Sequence, residues 1–222
     1  PHYYFESTFG GSCHCPHYPV TPNNGGCPHY SVGYTGRNMK KGKRPGAVVF
    51  FTGLSGAGKS TIAQILCRLL LERQDRSVSI LDGDIIRKHL SNELGFSRED
   101  RNTNIRRIGF VAGEIAKHGG IALCAAIAPY AESRDENRTT IEQEGMYFEI
   151  FVKTSLAVCE ERDVKGHYEK ARAGVLSNFT GIDDPYEEPK GADLVIETTK
   201  MSPEEAAEEV YKMLMDRGVI SI

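Results

Sequence analysis

The stretch Gly53-Leu54-Ser55-Gly56-Ala57-Gly58-Lys59-Ser60-Thr61 decides the fold of this chain. It fits the pattern G-x-x-x-x-G-K-[ST] and stands directly after an apolar, strand-like run from Ala47 to Thr52. A strand ending there delivers the loop to one edge of a sheet. The glycines let backbone N–H groups turn inward, and the helix that follows aims its positive end at bound phosphates. In that arrangement Lys59 reaches the β- and γ-phosphates of a nucleotide, and Ser60 helps hold Mg²⁺. Apolar residues at helical spacing, Ile62, Ile65, Leu66, Leu69 and Leu70, continue from Thr61, as in an amphipathic helix packed on a sheet. A glycine-rich turn can match the pattern by accident; the strand before it and the helix after it argue against that here. The loop implies nucleotide binding and leaves the reaction open.

Outward from the loop, apolar runs alternate with amphipathic segments. Strands are expected at Ala47 to Thr52, Val78 to Leu81, Ile121 to Ile127, Tyr147 to Val152 and Leu194 to Glu197. Helices are expected at Lys59 to Arg73, Glu99 to His118, Glu132 to Glu144, Leu156 to Arg162 and Pro203 to Arg217. This alternation predicts an α/β fold of the P-loop NTPase type, a parallel five-stranded sheet with helices on both faces, whose ligands gather at the carboxyl ends of the strands. Ser202-Pro203-Glu204-Glu205 reads as a helix start, with a cap, a fixed φ and acids at the positive end.

The chain of 222 residues, 40% of them apolar, supports one substantial core. The expected division is a loop-rich arm or linker over residues 1–45 and a P-loop kinase domain over 46–222. The arm is rich in Pro, Gly, Asn, Tyr and His, and ends in the basic run Lys40-Lys41-Gly42-Lys43-Arg44. Within it Cys-Pro-His-Tyr occurs twice, from Cys15 and from Cys27, with Cys13 and His14 nearby. Such density could ligate zinc, yet the spacing fits no standard finger, and an ordinary surface arm is the competing reading. Cys67, Cys124 and Cys159 lie in apolar runs and read as small core residues. A net charge of −3 gives no general reason to bind nucleic acid or an anionic membrane. No run approaches the roughly 18 apolar residues of a membrane span. With no apolar segment of signal-peptide type, the expected location is cytoplasmic.

After the second expected strand come Asp82-Gly83-Asp84, with Arg87 one helical turn beyond. Two carboxylates and a guanidinium at the sheet edge that carries the phosphate loop suit phosphoryl transfer. One acid orients or deprotonates an acceptor hydroxyl or holds Mg²⁺, and the arginine pairs with an anion on the acceptor. A turn with solvated acids is the plainer alternative. Five arginines, 87, 98, 101, 106 and 107, fall close together and suggest an anionic acceptor, although a charge run alone is more often a solvated helix face. Phe96 beside them suits a flat base.

With these segments in view, the chain resembles the adenylylsulfate kinase (APS kinase) family. The resemblance runs from about Ala47 to Thr198, through Phe51 to Thr61, Asp82-Gly83-Asp84 with Arg87, Gly95-Phe96-Ser97, Asn104-Ile105-Arg106-Arg107, Arg162-Asp163, Lys170-Ala171-Arg172-Ala173-Gly174 and Asn178-Phe179-Thr180-Gly181-Ile182-Asp183-Asp184-Pro185-Tyr186-Glu187. It implies transfer of the γ-phosphoryl of ATP, with Mg²⁺, to the 3′-hydroxyl of adenosine 5′-phosphosulfate. It further implies that Gly53 through Thr61 and Arg162 bind ATP. Lys59, Asp84, Asp82 and Lys165 are the implied catalytic set, with Asp84 favoured over Asp82 as base, and Ser60 and Asp84 serve the metal. Arg87, Arg101, Asn104, Ile127 and Lys165 bind the acceptor, and Phe96 and Phe179 sandwich its adenine; for Phe179 a core position is the alternative.

Residues 163–179, rich in Lys, Arg and Gly, read as a mobile lid that brings Lys165 and Lys170 over the reacting phosphates. Two departures stand out: Ala128 occupies a position where the family usually has Ser, and Asp163-Val164-Lys165-Gly166-His167-Tyr168 replaces the usual Asp-Pro-Lys-Gly-Leu-Tyr. His167 reads as a surface lid residue rather than a catalytic one. The resemblance also implies a homodimer and leaves room for a fused or associated ATP sulfurylase. A different small-molecule kinase of the same fold, or a regulatory module, are the competing functions; the intact Lys59, Ser60 and Asp84 argue against the second.

Overall fold

The computed structural model describes residues 46–74 and 76–221. Every residue of β1 (Ala47–Thr52) is buried, as expected of a parallel strand covered on both faces. The strand pairs in parallel with β3 (Ile121–Ala125) on one side and β4 (Met146–Lys153) on the other. With β2 (Val78–Asp82) and β5 (Leu194–Glu197) the order is β2-β3-β1-β4-β5, all parallel. Side-chain alternation splits the core in two. Ala47, Val49 and Phe51 pack with Ile62 and Leu66 of α1 (Lys59–Arg73) and Val210 and Leu214 of α7 (Pro203–Asp216). Val48 and Phe50 face Ile105, Ile108 and Ala112 of α3 (Arg98–Lys117) and Ile141 of α4 (Ala131–Ile141). Because β1 lies between β3 and β4, the order reverses beside it, and the crevice at its carboxyl end receives the phosphate loop.

The five strands and the five expected helices, including α5 (Leu156–Arg162), fall where the sequence places them, with shifts at their ends. β3 stops at Ala125 and not at Ile127. Beyond it Ala128 takes a left-handed φ of 47°, and the carbonyl of Ile127 turns to accept Thr52 Oγ1 at 2.6 Å and Gly53 N at 3.3 Å. Two short helices carry no stripe long enough to read: α2 (Gly83–His89), which buries only Ile86, and α6 (His167–Arg172) inside the expected lid. The caps foreseen for α7 are present: Ser202 and Glu205 form a reciprocal capping box with Pro203 in the first turn. Cys124 and Cys159 are buried and Cys67 is half-buried. The arm over residues 1–45 and its Cys/His pairs lie outside the described residues. Among the described residues no group of three or more His, Cys, Asp or Glu is placed to hold a metal ion, and no helix is long and apolar enough to cross a membrane.

Candidate active site

The phosphate loop needs its glycines for reasons visible in the backbone. Gly53 has φ 145°, and a Cβ there would stand 2.5 Å from the carbonyl oxygen of Val152. Gly58, at φ 107°, precedes α1 without a side-chain cap, so the first N–H groups of that helix remain available to an anion. Lys59, only 8% exposed, donates from Nζ to the carbonyls of Gly53 at 2.9 Å and Leu54 at 2.7 Å. Burial, helped by the charge of Lys165 and opposed by Cys159, Asp84 and Asp82, pulls its pKa down to about 8. Phosphate anions would reverse that pull and restore the full charge.

The sheet edge sorts the two acids. Asp82 ends β2 and caps α2, its Oδ1 accepting Asp84 N at 3.0 Å, which leaves Oδ2 to accept Ser60 Oγ–H at 2.6 Å. Asp84, in the first turn of α2, instead takes a hydrogen bond from Lys165 Nζ. Ser60, expected to share a metal with Asp84, is hydrogen-bonded here to Asp82 at the strand end. Burial pushes the Asp84 carboxyl up, but the hydrogen bond and charge of Lys165, with smaller help from His167 and Lys59, outweigh it and hold the group below the usual carboxylate value.

At the other end of the cleft Phe96 is 53% exposed. The guanidinium of Arg87 lies 4.6 Å from its ring centroid and that of Arg101 lies 5.5 Å away. Arg87 donates to the carbonyl of Gly95 at 2.7 Å. Arg101, 8% exposed, donates to Phe96 O at 3.0 Å and also to Asn178 O, and so ties together the two loops that carry Phe96 and Phe179. Both arginines hold loop carbonyls as well as lining the cleft. Asn104 is 6% exposed and its Oδ1 has no hydrogen-bond partner, a buried acceptor that a ligand donor would satisfy. Phe179 combines the two readings given for it: it packs against the main core and also lines the cleft.

The segment expected as a lid is locally ordered. Asp163 accepts the backbone N–H groups of His167, Tyr168 and Glu169 at 2.8, 3.1 and 3.0 Å, which fixes the start of α6. Tyr168 donates to Ser55 O of the phosphate loop at 2.9 Å and stands edge-on to Phe179, ring centroids 5.0 Å apart. Lys165 faces Asp84, whereas Lys170 is exposed and does not line the cleft.

One cleft of about 430 Å³ is lined by Ser55, Gly56, Gly58, Lys59, Ser60 and Thr61 at one end and by Phe96, Arg101, Asn104 and Phe179 at the other, with Asp82, Asp84, Arg87, Ile127 and Lys165 along its walls. Of the expected site residues, Gly53, Leu54, Ala57 and Arg162 do not line it. Arg162 lies behind the loop and donates to Gly56 O at 3.3 Å. Sequence reasoning missed Asp163, Tyr168 and Asp184. The last accepts Tyr130 Oη–H at 2.6 Å and stands 3.7 Å from Arg101. The Asp163 to Glu169 spacing was the readable signal for the first; nothing local marks the others.

The sequence model of the adenylylsulphate kinase family matches residues 45–197. An adenylyl-sulfate kinase of a Synechococcus strain is 49% identical over 80% of this chain and 98% of its own. Among solved structures, the Mycobacterium tuberculosis APS kinase in complex with AMPPNP and APS is similar at 46% identity and a TM-score of 0.74, covering 77% of this chain and 98% of that one. A hexameric APS kinase from Thiobacillus denitrificans is similar at 43% identity and a TM-score of 0.64, covering 81% of this chain and 31% of that longer one.

Proposed function

The chain belongs to the adenylylsulphate kinase family, and from that premise we propose how its cleft divides between two nucleotides. The reaction moves the γ-phosphoryl of ATP to the 3′-hydroxyl of adenosine 5′-phosphosulfate. The 3′-oxygen forms a bond to the γ-phosphorus, the bond to the bridging oxygen of ADP breaks, and the hydroxyl proton goes to a carboxylate. Little covalent work falls to the protein, so positioning and charge neutralisation carry the rate. One observation carries the assignment of ends: the phosphate loop, Asp84 and the Phe96 and Phe179 rings all line the same continuous cleft.

At the donor end, the uncapped start of α1 and the loop N–H groups hold the β- and γ-phosphates, and Lys59 exchanges its bonds to Gly53 and Leu54 for phosphate oxygens. Ser60 and Asp82 supply hydroxyl and carboxylate oxygens 2.6 Å apart, the ligand type that Mg²⁺ takes. Bound there, Mg²⁺ neutralises charge on the phosphates. At the acceptor end, Phe96 and Phe179 hold the adenine, each stack contributing about 1–3 kcal/mol. Asn104 Oδ1 accepts a hydrogen bond from the acceptor, and Arg87 and Arg101 face its anions. Asp84, kept ionised by Lys165, accepts the hydroxyl proton, and Lys165 swings onto the phosphoryl in transit. The homodimer and the link to an ATP sulfurylase belong to the same proposal and rest on the family resemblance.

A coupled assay with ATP and adenosine 5′-phosphosulfate tests this. Lys59→Ala is expected to lower turnover by at least about a hundredfold; unchanged turnover would refute the donor-end assignment. Activity with shikimate, gluconate or AMP but none with the phosphosulfate would move the chain to another kinase of this fold.

A further inference from the structure

Asp184 does not line the cleft, but Arg101 and Thr180, which both contact its carboxylate, do. Its Oδ1 accepts Tyr130 Oη–H at 2.6 Å. Its Oδ2 accepts Thr180 Oγ1–H at 3.3 Å and lies 3.7 Å from Arg101 Nε. The side chains of this ion pair are only 9% and 15% exposed, so water and salt screen it little. Both carboxylate oxygens are thus engaged by the protein, behind the wall of the cleft. Through Arg101 the carboxylate reaches the loops of both rings. The Nε that faces Asp184 also donates to Phe96 O at 3.0 Å, and the far end of the same planar guanidinium donates to Asn178 O. Because the donors form one rigid fork, whatever orients Nε also sets where the two carbonyls stand. On the Phe179 side Asp183 accepts the N–H groups of Asn178 and Phe179. Asn178 keeps a left-handed φ of 57°, which a residue with a side chain holds only where its surroundings fix it.

We propose that Asp184 is a positioning residue for the acceptor: by holding Arg101 it fixes the gap between the Phe96 and Phe179 rings, and so their grip on the adenine, without touching either substrate. Tyr130 belongs to the same device. It is buried at the start of α4, and its hydroxyl ties the carboxylate to that helix. The inference rests on the assignment of the Phe96 and Phe179 end of the cleft to the acceptor. It gives the adjacent acids separate tasks, Asp183 fixing one ring's backbone and Asp184 fixing the distance from that ring to the other.

The experiment measures kcat, KM for both substrates and Tm in the wild type, Asp184→Asn, Tyr130→Phe and the double variant. Asp184→Asn keeps the shape and removes the charge that holds Arg101. Its KM for the phosphosulfate is expected to rise about tenfold, the scale of one charge-assisted hydrogen bond, with kcat and the KM for ATP changed by less than about twofold. Tyr130→Phe removes one neutral hydroxyl and should raise the acceptor KM about threefold. Since both act through one contact, the double variant should be no worse than Asp184→Asn. An unchanged acceptor KM in Asp184→Asn would overturn the inference. Equal losses for both substrates with a lowered Tm would overturn it too, as the sign of general loosening. Should Asp184→Asn fail to fold, the same split in Tyr130→Phe decides the matter. Failure of the wild type to phosphorylate the phosphosulfate, with ATP still bound, would instead overturn the reading of the cleft and the inference with it.

Discussion

Lys165 and Asp84 show how a single contact changes the meaning of two residues. Both are exposed by about half, with side-chain exposures of 50% and 62%, so their pairing adds little to stability. Its effect is on charge and position: the contact holds the Asp84 carboxyl below its usual value and fixes Lys165 beside it, where the proposed reaction would need it. Lys165→Ala is expected to lower kcat by roughly a hundredfold, while the dissociation constant of ATP, measured by calorimetry, changes only a few-fold. Equal losses in both would assign Lys165 to ground-state nucleotide binding. The residue types at this site were legible in the chain, because Lys59, Asp82, Asp84 and Arg87 stand at fixed offsets from strand ends. Their partners were not. Which acid faces Ser60 depends on the direction in which β2 hands over to α2, and that is a property of the sheet.

At the scale of elements, the long amphipathic stretches declared themselves through apolar spacing, and α7 also through its capping residues. α2 and α6 escaped, since neither short stretch carries a periodic apolar stripe. Packing between helices also has no local signature. α3 presents Gly109 to α4, where a Cβ would come within 2.1 Å of Asn137 Oδ1, and Asn137 Nδ2 donates to Ile105 O at 2.9 Å. Gly109→Ala would push the amide out of that bond. We expect it to cost roughly 2 kcal/mol and to lower Tm by about 5 °C in thermal unfolding. A Tm at or above that of the wild type would show that the two helices separate without penalty.

Across the whole molecule, one buried side chain joins the sheet to the loops over its edge. Arg134, 3% exposed, pairs with Glu149 of β4 at 2.7 Å and donates to the carbonyls of Ala128 at 2.6 Å and Glu187 at 2.7 Å. It thereby holds Ala128 in its left-handed conformation beside the cleft. Burial raises the Glu149 carboxyl, against the pull of Arg134 and Arg138. Arg134→Met strands that carboxylate and is expected to cost about 3 kcal/mol, read as a fall of roughly 10 °C in Tm. Arg134→Met with Glu149→Leu should recover much of the loss. A double variant no more stable than the single one would place the cost in the two carbonyl contacts instead.

The sequence by itself determined the parallel sheet, the phosphate loop and the kind of chemistry, because strand and helix periodicity and a nine-residue motif are local properties of the chain. Only the tertiary structure decided that Asp82 serves Ser60 while Asp84 serves Lys165, that Arg101 ties the Phe96 and Phe179 loops together, and that His167 faces the cleft while Lys170 does not. Those choices join residues as many as 81 positions apart. They are made by the strand order and by loop geometry, which no single segment encodes.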